Sequence, residues 1–307
     1  MRFSIYQDTE LGARSVNQDR MGYCFTRDAL LMVVADGMGG HLRGEVAAQI
    51  TLQTVAALFQ TMARPALEDP AEFLDMSLRR AHRDILRYQE QHNLPESPRT
   101  TVVACLVQKG VVWWAHAGDS RIYLIRDGVV LARTRDHSKV QTLISLGLLK
   151  PGEEEQHPER NKVLNCLGSP FEPTIEISTP VTLQAGDRLL LCSDGLWSGV
   201  PEAQLASGLC QDVVSRSVPE LVQRAVATNG RLADNTTALA LAWEGDSEGT
   251  PTDDGGLSSL DLPDGAFTTT ISAAAPPEEA DERDISEDEI ERTIREIRTA
   301  IDRTNGR

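Results

Sequence analysis

Apolar and polar positions follow two different periods along this chain. Residues 2–6 alternate, as an edge strand does, and 22–26 and 30–35 read as further strands. The 30–35 run is apolar throughout, which predicts burial on both faces. Helical spacing then takes over. From Gly44 to Met62, Val46, Ile50, Val55, Leu58 and Phe59 share one face. From about Ala71 to Gln91, Phe73, Leu74, Leu78, Ala81, Ile85 and Tyr88 do the same. Between Thr100 and Arg133 the pattern is dense β, with segments 102–107, 111–116, 121–125 and 129–132. Lys109-Gly110 and Asp127-Gly128 are hairpin signals within it.

Asp136 to Pro173 mixes Gly, Pro and charge with little core, and reads as an excursion from the main body with a helix at 138–146. Residues 175–200 return to strand, short helices are predicted at 201–209 and 219–228, and 236–243 forms a last apolar strand. This order of elements is α+β. Core packing is expected to end there, giving one domain over 1–244 and a disordered acidic linker over 245–283. Ser286-Glu-Asp-Glu289 resembles a capping box, and Ile290, Ile294, Ile297 and Ile301 then place a narrow apolar stripe on a short amphipathic helix over 284–303. Alone such a helix is marginal in water. Two readings stand for it: a fraying tail, or a helix that docks on a partner or pairs with a second copy.

Charge sharpens the same boundary. The 307 residues carry a formal charge of −16. From Gly245 onward there are seventeen Asp/Glu against six Arg, leaving 29 acids against 24 bases in the preceding part. The tail is acidic and the body nearly balanced. A sequence pI near 4.8 argues against nucleic-acid binding through a basic face. No stretch reaches the roughly eighteen apolar residues of a membrane span, and residues 1–8 lack the apolar core of a signal peptide, so a cytoplasmic protein away from membranes is expected. Cys24, Cys105, Cys166, Cys192 and Cys210 form no C-x-x-C pair and sit mostly in apolar runs, as reduced core cysteines do.

The candidate chemistry lies in aspartates. Asp36, Asp119 and Asp194 each stand at or just after the end of an apolar run, within Val34-Ala-Asp36-Gly-Met-Gly-Gly40, Ala117-Gly-Asp119-Ser-Arg121 and Cys192-Ser-Asp194-Gly195. Arg14-Ser-Val-Asn-Gln-Asp19 precedes them and Ala233-Asp234-Asn235 follows. Strands deliver their last residues to a sheet end, so several such aspartates can converge. Converging carboxylates repel unless divalent cations lie between them. Singly, each Asp-Gly could be a plain turn, Asp19 a cap, Asp119 a structural residue and Asp234 an Asx-turn. His116, between Trp113, Trp114 and the next strand end, reads as a satisfied core histidine, and His137 as a residue that caps or orients the excursion.

Taken in order, Asn17-Gln-Asp19-Arg, Asp36-Gly-Met-Gly-Gly-His41, Thr100-Thr101-Val-Val, Ala117-Gly-Asp119-Ser-Arg121, Arg135-Asp-His-Ser138, Cys192-Ser-Asp194-Gly195-Leu-Trp and Asp234-Asn235-Thr-Thr resemble the bacterial branch of the protein phosphatase 2C family, metal-dependent serine/threonine phosphatases. The resemblance runs from about residue 5 to 243. It implies a four-layer α/β/β/α sandwich, two antiparallel sheets flanked by helices, with two Mn²⁺ or Mg²⁺ ions at one end. Asp36 would bridge them, Gly37 would offer its carbonyl to the first, and Asp194 and Asp234 would hold the second. Asp19 would hold waters of the outer shell, Asp119 would share a third, weaker ion with Asp194, and Arg14 would grip the substrate phosphate. The activity implied is hydrolysis of phosphoserine and phosphothreonine in proteins by a metal-bridging hydroxide. A eukaryotic-type bacterial serine/threonine kinase would be the antagonist, and that kinase and its targets the substrates. The excursion at about 136–175 matches the flap. A non-catalytic, phosphoprotein-binding relative is the other reading. Three departures stand out: Met38 where members outside bacteria have His, Gln18 where many have Glu, and Leu164-Asn-Cys-Leu-Gly168 where bacterial members often read Thr-Arg-Ala-Leu-Gly.

Overall fold

A computed structural model describes residues 1–38, 43–150, 152–154, 157–245, 257–259, 266 and 268–271. All belong to one compact unit, Met1–Ala273. The helix expected over 284–303 and His41 lie outside the described residues. No helix among the described residues is long and apolar enough to cross a membrane.

Among the described residues, thirteen strands form two sheets. The first runs in the order β12 (Leu257–Ser258), β1 (Arg2–Glu10), β11 (Thr236–Gly245), β10 (Arg188–Cys192), β6 (Arg121–Arg126) and β7 (Val129–Arg133). The second runs β13 (Thr268–Thr269), β2 (Asp19–Phe25), β3 (Ala29–Asp36), β4 (Val102–Gln108), β5 (Val111–Ala117) and β8 (Glu176–Ile177), with β9 (Val181–Thr182) also on β5. Every pairing is antiparallel.

Alternate side chains of each central strand feed different cores. On β3, Leu30, Met32 and Val34 fill the space between the sheets, while Leu31, Val33 and Ala35 meet the long helices α1 (Gly44–Met62) and α2 (Pro70–Gln91). On β11, Leu239, Leu241 and Trp243 face the other sheet. Ala238, Ala240 and Ala242 face the helical layer built from α4 (Asp194–Trp197), α5 (Glu202–Leu209) and α6 (Val214–Asn229). This is why these strands are apolar at every position rather than at every second one. The layers are therefore α/β/β/α. Asp69 caps α2, accepting from the amides of Ala71 and Glu72, and Pro70 occupies its first turn.

The excursion runs from Thr134 to Ile175 and carries α3 (Lys139–Ser145), capped by Ser138. Its return leg docks where Thr100 and Leu167 exchange backbone hydrogen bonds. Three expectations are corrected. Residues 175–200 hold only three short strands and then α4, because Pro180 and the turn around Gly186-Asp187 interrupt pairing. Pro219 lies inside α6 rather than at its start. Asp212 organises the preceding turn, its carboxylate accepting from the Val213 amide and pairing with Arg216 at 3.2 Å. The stretch 245–283 is not uniformly without structure, since 257–259 and 268–271 pair with the outer edges of β1 and β2. Composition hid this, because two-residue strands anchored by edge pairing leave no periodic signal.

Candidate metal centre

The antiparallel register places Asp19 directly opposite Asp36 on β2 and β3. Directly opposed residues have Cβ atoms about 5 Å apart on one face of the sheet, so the strand pairing alone brings two carboxylates together. β10, in the facing sheet, ends at Cys192, and Ser193 then donates its hydroxyl to Asp19 Oδ2 at 2.7 Å. That bond crosses the sandwich and sets Asp194, at the start of α4, beside the first pair. Asp119 arrives from the end of β5 and Asp234 from the start of β11.

The fields of these groups overlap. Burial first, then the charges of Asp19, Asp194, Asp119 and Asp234, push the Asp36 carboxyl well above the usual range. Asp194 is raised in the same way by burial and then by Asp119, Asp234 and Asp19. Burial lifts Asp19 to about 6, against hydrogen bonds from Thr237 and Ser193 that favour its anion. Asp119 is lifted to about 7 by burial and by Asp136. Asp19 Oδ1 is buried without a hydrogen-bond partner. Oxygen donors that are concentrated, desolvated and in one case orphaned fit a hard divalent cation, as Mg²⁺ or Mn²⁺ is.

Backbone packing holds the loops. A Cβ on Gly37 would lie 2.4 Å from the Gly44 carbonyl carbon, so only glycine lets this turn sit on the first residue of α1. The Asp36 carbonyl accepts from Thr101 N–H at 2.9 Å and from the Thr100 hydroxyl at 2.8 Å. Gln18 donates its side-chain amide to Glu45 at 2.8 Å, which ties the Asp19 strand to α1. Asn235 accepts from Gln18 N–H at 2.9 Å and donates to the carbonyls of Leu11 and Val16, stitching the loop that carries Arg14 to Asp234. Arg14 itself engages Asp234 through two bonds, 2.8 and 2.5 Å, which raises the guanidinium's affinity for its proton. The expected phosphate grip is thus turned toward a carboxylate. Arg121 makes a forked pair with Asp136 and stacks on Trp197, whose indole N–H donates to the Asp119 carbonyl at 3.0 Å.

Among the described residues, a different trio has donor atoms all within 4.8 Å of one another: His116, His137 and Glu176. Donors for two ions spread wider than donors for one, so the aspartates need not form such a tight group. One of the three, His137, has no lone pair left to offer. Asn165 Nδ2 and the Gly118 amide both face His137 Nδ1, at 2.7 and 3.3 Å. Asn165 cannot turn over, because its Oδ1 accepts from Thr174 N–H and its Nδ2 donates to the Thr174 carbonyl. His137 Nδ1 is therefore the acceptor, and Nε2 carries the proton toward Glu176 at 3.3 Å. His137 orients the excursion as expected. His116 corrects its expectation in part: Nε2 donates to the Arg135 carbonyl at 2.8 Å, but Nδ1 is buried without a partner.

Sequence reading missed the supports Ser193, Asn235, Asp136 and Asn165. The first three sit inside the quoted motifs, which was the available signal.

Comparison with known proteins accords with this geometry. The family model for Protein phosphatase 2C matches residues 7–234. The chain is similar to the serine/threonine phosphatase stp of Listeria innocua, 33% identical over 230 residues, covering 74% of this chain and 90% of that protein. It is also similar to the serine/threonine protein phosphatase PstP of Mycobacterium tuberculosis, 35% identical over 240 residues, covering 78% of this chain but only 44% of that protein. A crystal structure of the PstP catalytic domain in complex with two manganese ions superposes with a TM-score of 0.66 at 33% identity, over 78% of this chain and 98% of that one.

Proposed function

The chain belongs to the protein phosphatase 2C family and is a serine/threonine protein phosphatase of the bacterial type, and from that premise we propose that it hydrolyses phosphoserine and phosphothreonine in cytoplasmic proteins with two Mn²⁺ or Mg²⁺ ions. The observation that supports metal dependence is the convergence of Asp19, Asp36, Asp119, Asp194 and Asp234 with an orphaned, buried oxygen on Asp19. When bound, the cations lower the pKa of water and offset charge on the phosphoryl group.

The chain's own residues divide the remaining work. Asp36, the Gly37 carbonyl, Asp194 and Asp234 would hold the two ions. Asp19, whose carboxylate Ser193 fixes at 2.7 Å, would order their waters, and Asp119 would serve a weaker third ion with Asp194. Arg14 leaves Asp234 to fork onto two phosphate oxygens, a geometry that its planar guanidinium suits equally well. Met38 offers no proton where some relatives carry His, so the departing alkoxide takes its proton from solvent water or from an acid elsewhere in the site. The natural antagonist is a serine/threonine kinase, with that kinase and its targets as substrates.

The test is hydrolysis of a phosphothreonine peptide by wild type and Asp36→Asn, each with EDTA and with Mn²⁺. Turnover that needs Mn²⁺ and drops at least about 10³-fold in the variant is expected. Turnover in EDTA, or a variant as active as wild type, would remove Asp36 from the metal site. Folded wild type inactive on every phosphopeptide would favour the non-catalytic, phosphoprotein-binding reading.

A further inference from the structure

The outer edge of β2 is not bare. Thr268 and Thr269 pair with Phe25 and Cys24, the Thr270 amide donates to the Tyr23 carbonyl at 3.0 Å, and Tyr23 N–H donates to Thr270 Oγ1 at 3.1 Å. Thr269 Oγ1 meets Cys24 Sγ at 2.8 Å and accepts from the Ile271 amide at 3.0 Å. The segment ends with Ile271 only 6% exposed, inside the core between the second sheet and α1. What admits it is Gly22. A Cβ there would lie 2.4 Å from Ile271 Cγ1, so the missing side chain is the slot that the isoleucine fills. A second anchor lies on the other sheet, where Leu257 and Ser258 pair with β1 and Ser259 donates to the Arg27 carbonyl at 2.6 Å. Both contacts come from beyond residue 234, where the match to the family model ends.

We propose that the β2 edge with its Gly22 slot is a peptide-docking site, filled in cis by Thr268–Ile271, that recognises an extended segment carrying a β-branched aliphatic anchor. The chemistry is strand addition: backbone hydrogen bonds supply generic affinity and one pocketed side chain supplies selectivity. Tethering explains why four residues suffice, because a linked segment competes at a high effective concentration. It also predicts that the site becomes available in trans once the tether is undocked. The occupied edge is shielded from pairing with other chains. The proposal is independent of the metal centre.

The test uses full-length chains. Ile271→Asp should undock the segment, and hydrogen exchange at the Tyr23 amide should rise at least tenfold over wild type. Thr270→Ala, which removes the acceptor of that amide together with a 3.4 Å hydrogen bond to Gln7 Oε1, should raise it too and guards against a folding defect in the first variant. A fluorescent peptide of residues 266–272 should then bind Ile271→Asp saturably, bind wild type at least tenfold more weakly, and lose binding again in the Gly22→Ala/Ile271→Asp double variant. Unchanged protection in both single variants would overturn the docking. No saturable binding to Ile271→Asp, or equal binding to Ile271→Asp and to the double variant, would overturn the site.

Discussion

Asp19→Asn separates the cost of the carboxylate cluster from its use. Burial raises this carboxyl from 3.8 to about 6, and its Oδ1 has no partner. The folded chain therefore binds the proton more tightly than the unfolded chain does. The penalty is absent below the unfolded value and complete above the folded one, so stability falls as pH rises from about 4 to about 6. At 1.36 kcal/mol per unit the full penalty is about 3 kcal/mol. Asparagine removes the charge while its Oδ1 still accepts the Ser193 hydroxyl. In EDTA at pH 7.5 the variant should therefore melt higher by roughly 6–12 °C, at about 2–4 °C per kcal/mol for a domain of this size. The advantage should halve near pH 5 and be small at pH 4. Mn²⁺ should narrow the gap, because ion binding stabilises wild type by about 2.7 kcal/mol at a hundredfold excess over Kd and the variant by less. Thermal melts across pH 4–7.5, with EDTA and with Mn²⁺, measure all of this. Equal melting points in EDTA at every pH, or a variant less stable at pH 7.5, would refute the account of Asp19 as a desolvated, ion-awaiting carboxylate.

Arg14→Ala should raise KM for a phosphopeptide about tenfold or more. The same change should tighten Mn²⁺ binding about two- to fivefold by calorimetry, because an exposed pair with Asp234 worth up to about 1 kcal/mol no longer competes with the ion. Protonation of the leaving group by solvent predicts a steep dependence of kcat/KM on leaving-group pKa across aryl phosphates, and a flat series would point to a side-chain acid. Asn165→Ala should cost about 1–2 kcal/mol in thermal melts, because it orphans Thr174 N–H and removes the Nδ2 donor to His137 Nδ1.

Much of the layout was legible because it rests on strong periodic signals. The 30–35 run could only be a strand buried twice over, and Leu30, Met32 and Val34 against Leu31, Val33 and Ala35 are the two faces that this implied. α1 and α2 were equally plain, each from a single apolar stripe. The site was half legible. Position at strand ends suggested convergence, yet the Asp19–Asp36 register and the Ser193 bridge between sheets are tertiary facts that no local pattern carries. Pro219 and the 257–271 pairings failed for the same reason: tertiary context overrode a local rule.

The centre gathers what a stable core avoids. Four carboxylates whose protons are held more tightly than usual, with Asp234 beside them, occupy the end of a sandwich whose interior is otherwise apolar. A fold selected for stability alone would place apolar residues opposite one another at Asp19 and Asp36, as it does two residues along at Met21 and Val34. The fold instead strengthens the surroundings: Thr100 and Thr101 hold the Asp36 carbonyl, Asn235 holds the Arg14 loop, and two glycines let Gly37 rest on α1. These supports fix the backbone and leave Asp19 Oδ1 without a partner. Stability is spent on position rather than on neutralising the charge. That is the arrangement expected where the missing counter-charge is a cation, and Arg14 supplies the one exchangeable substitute at Asp234.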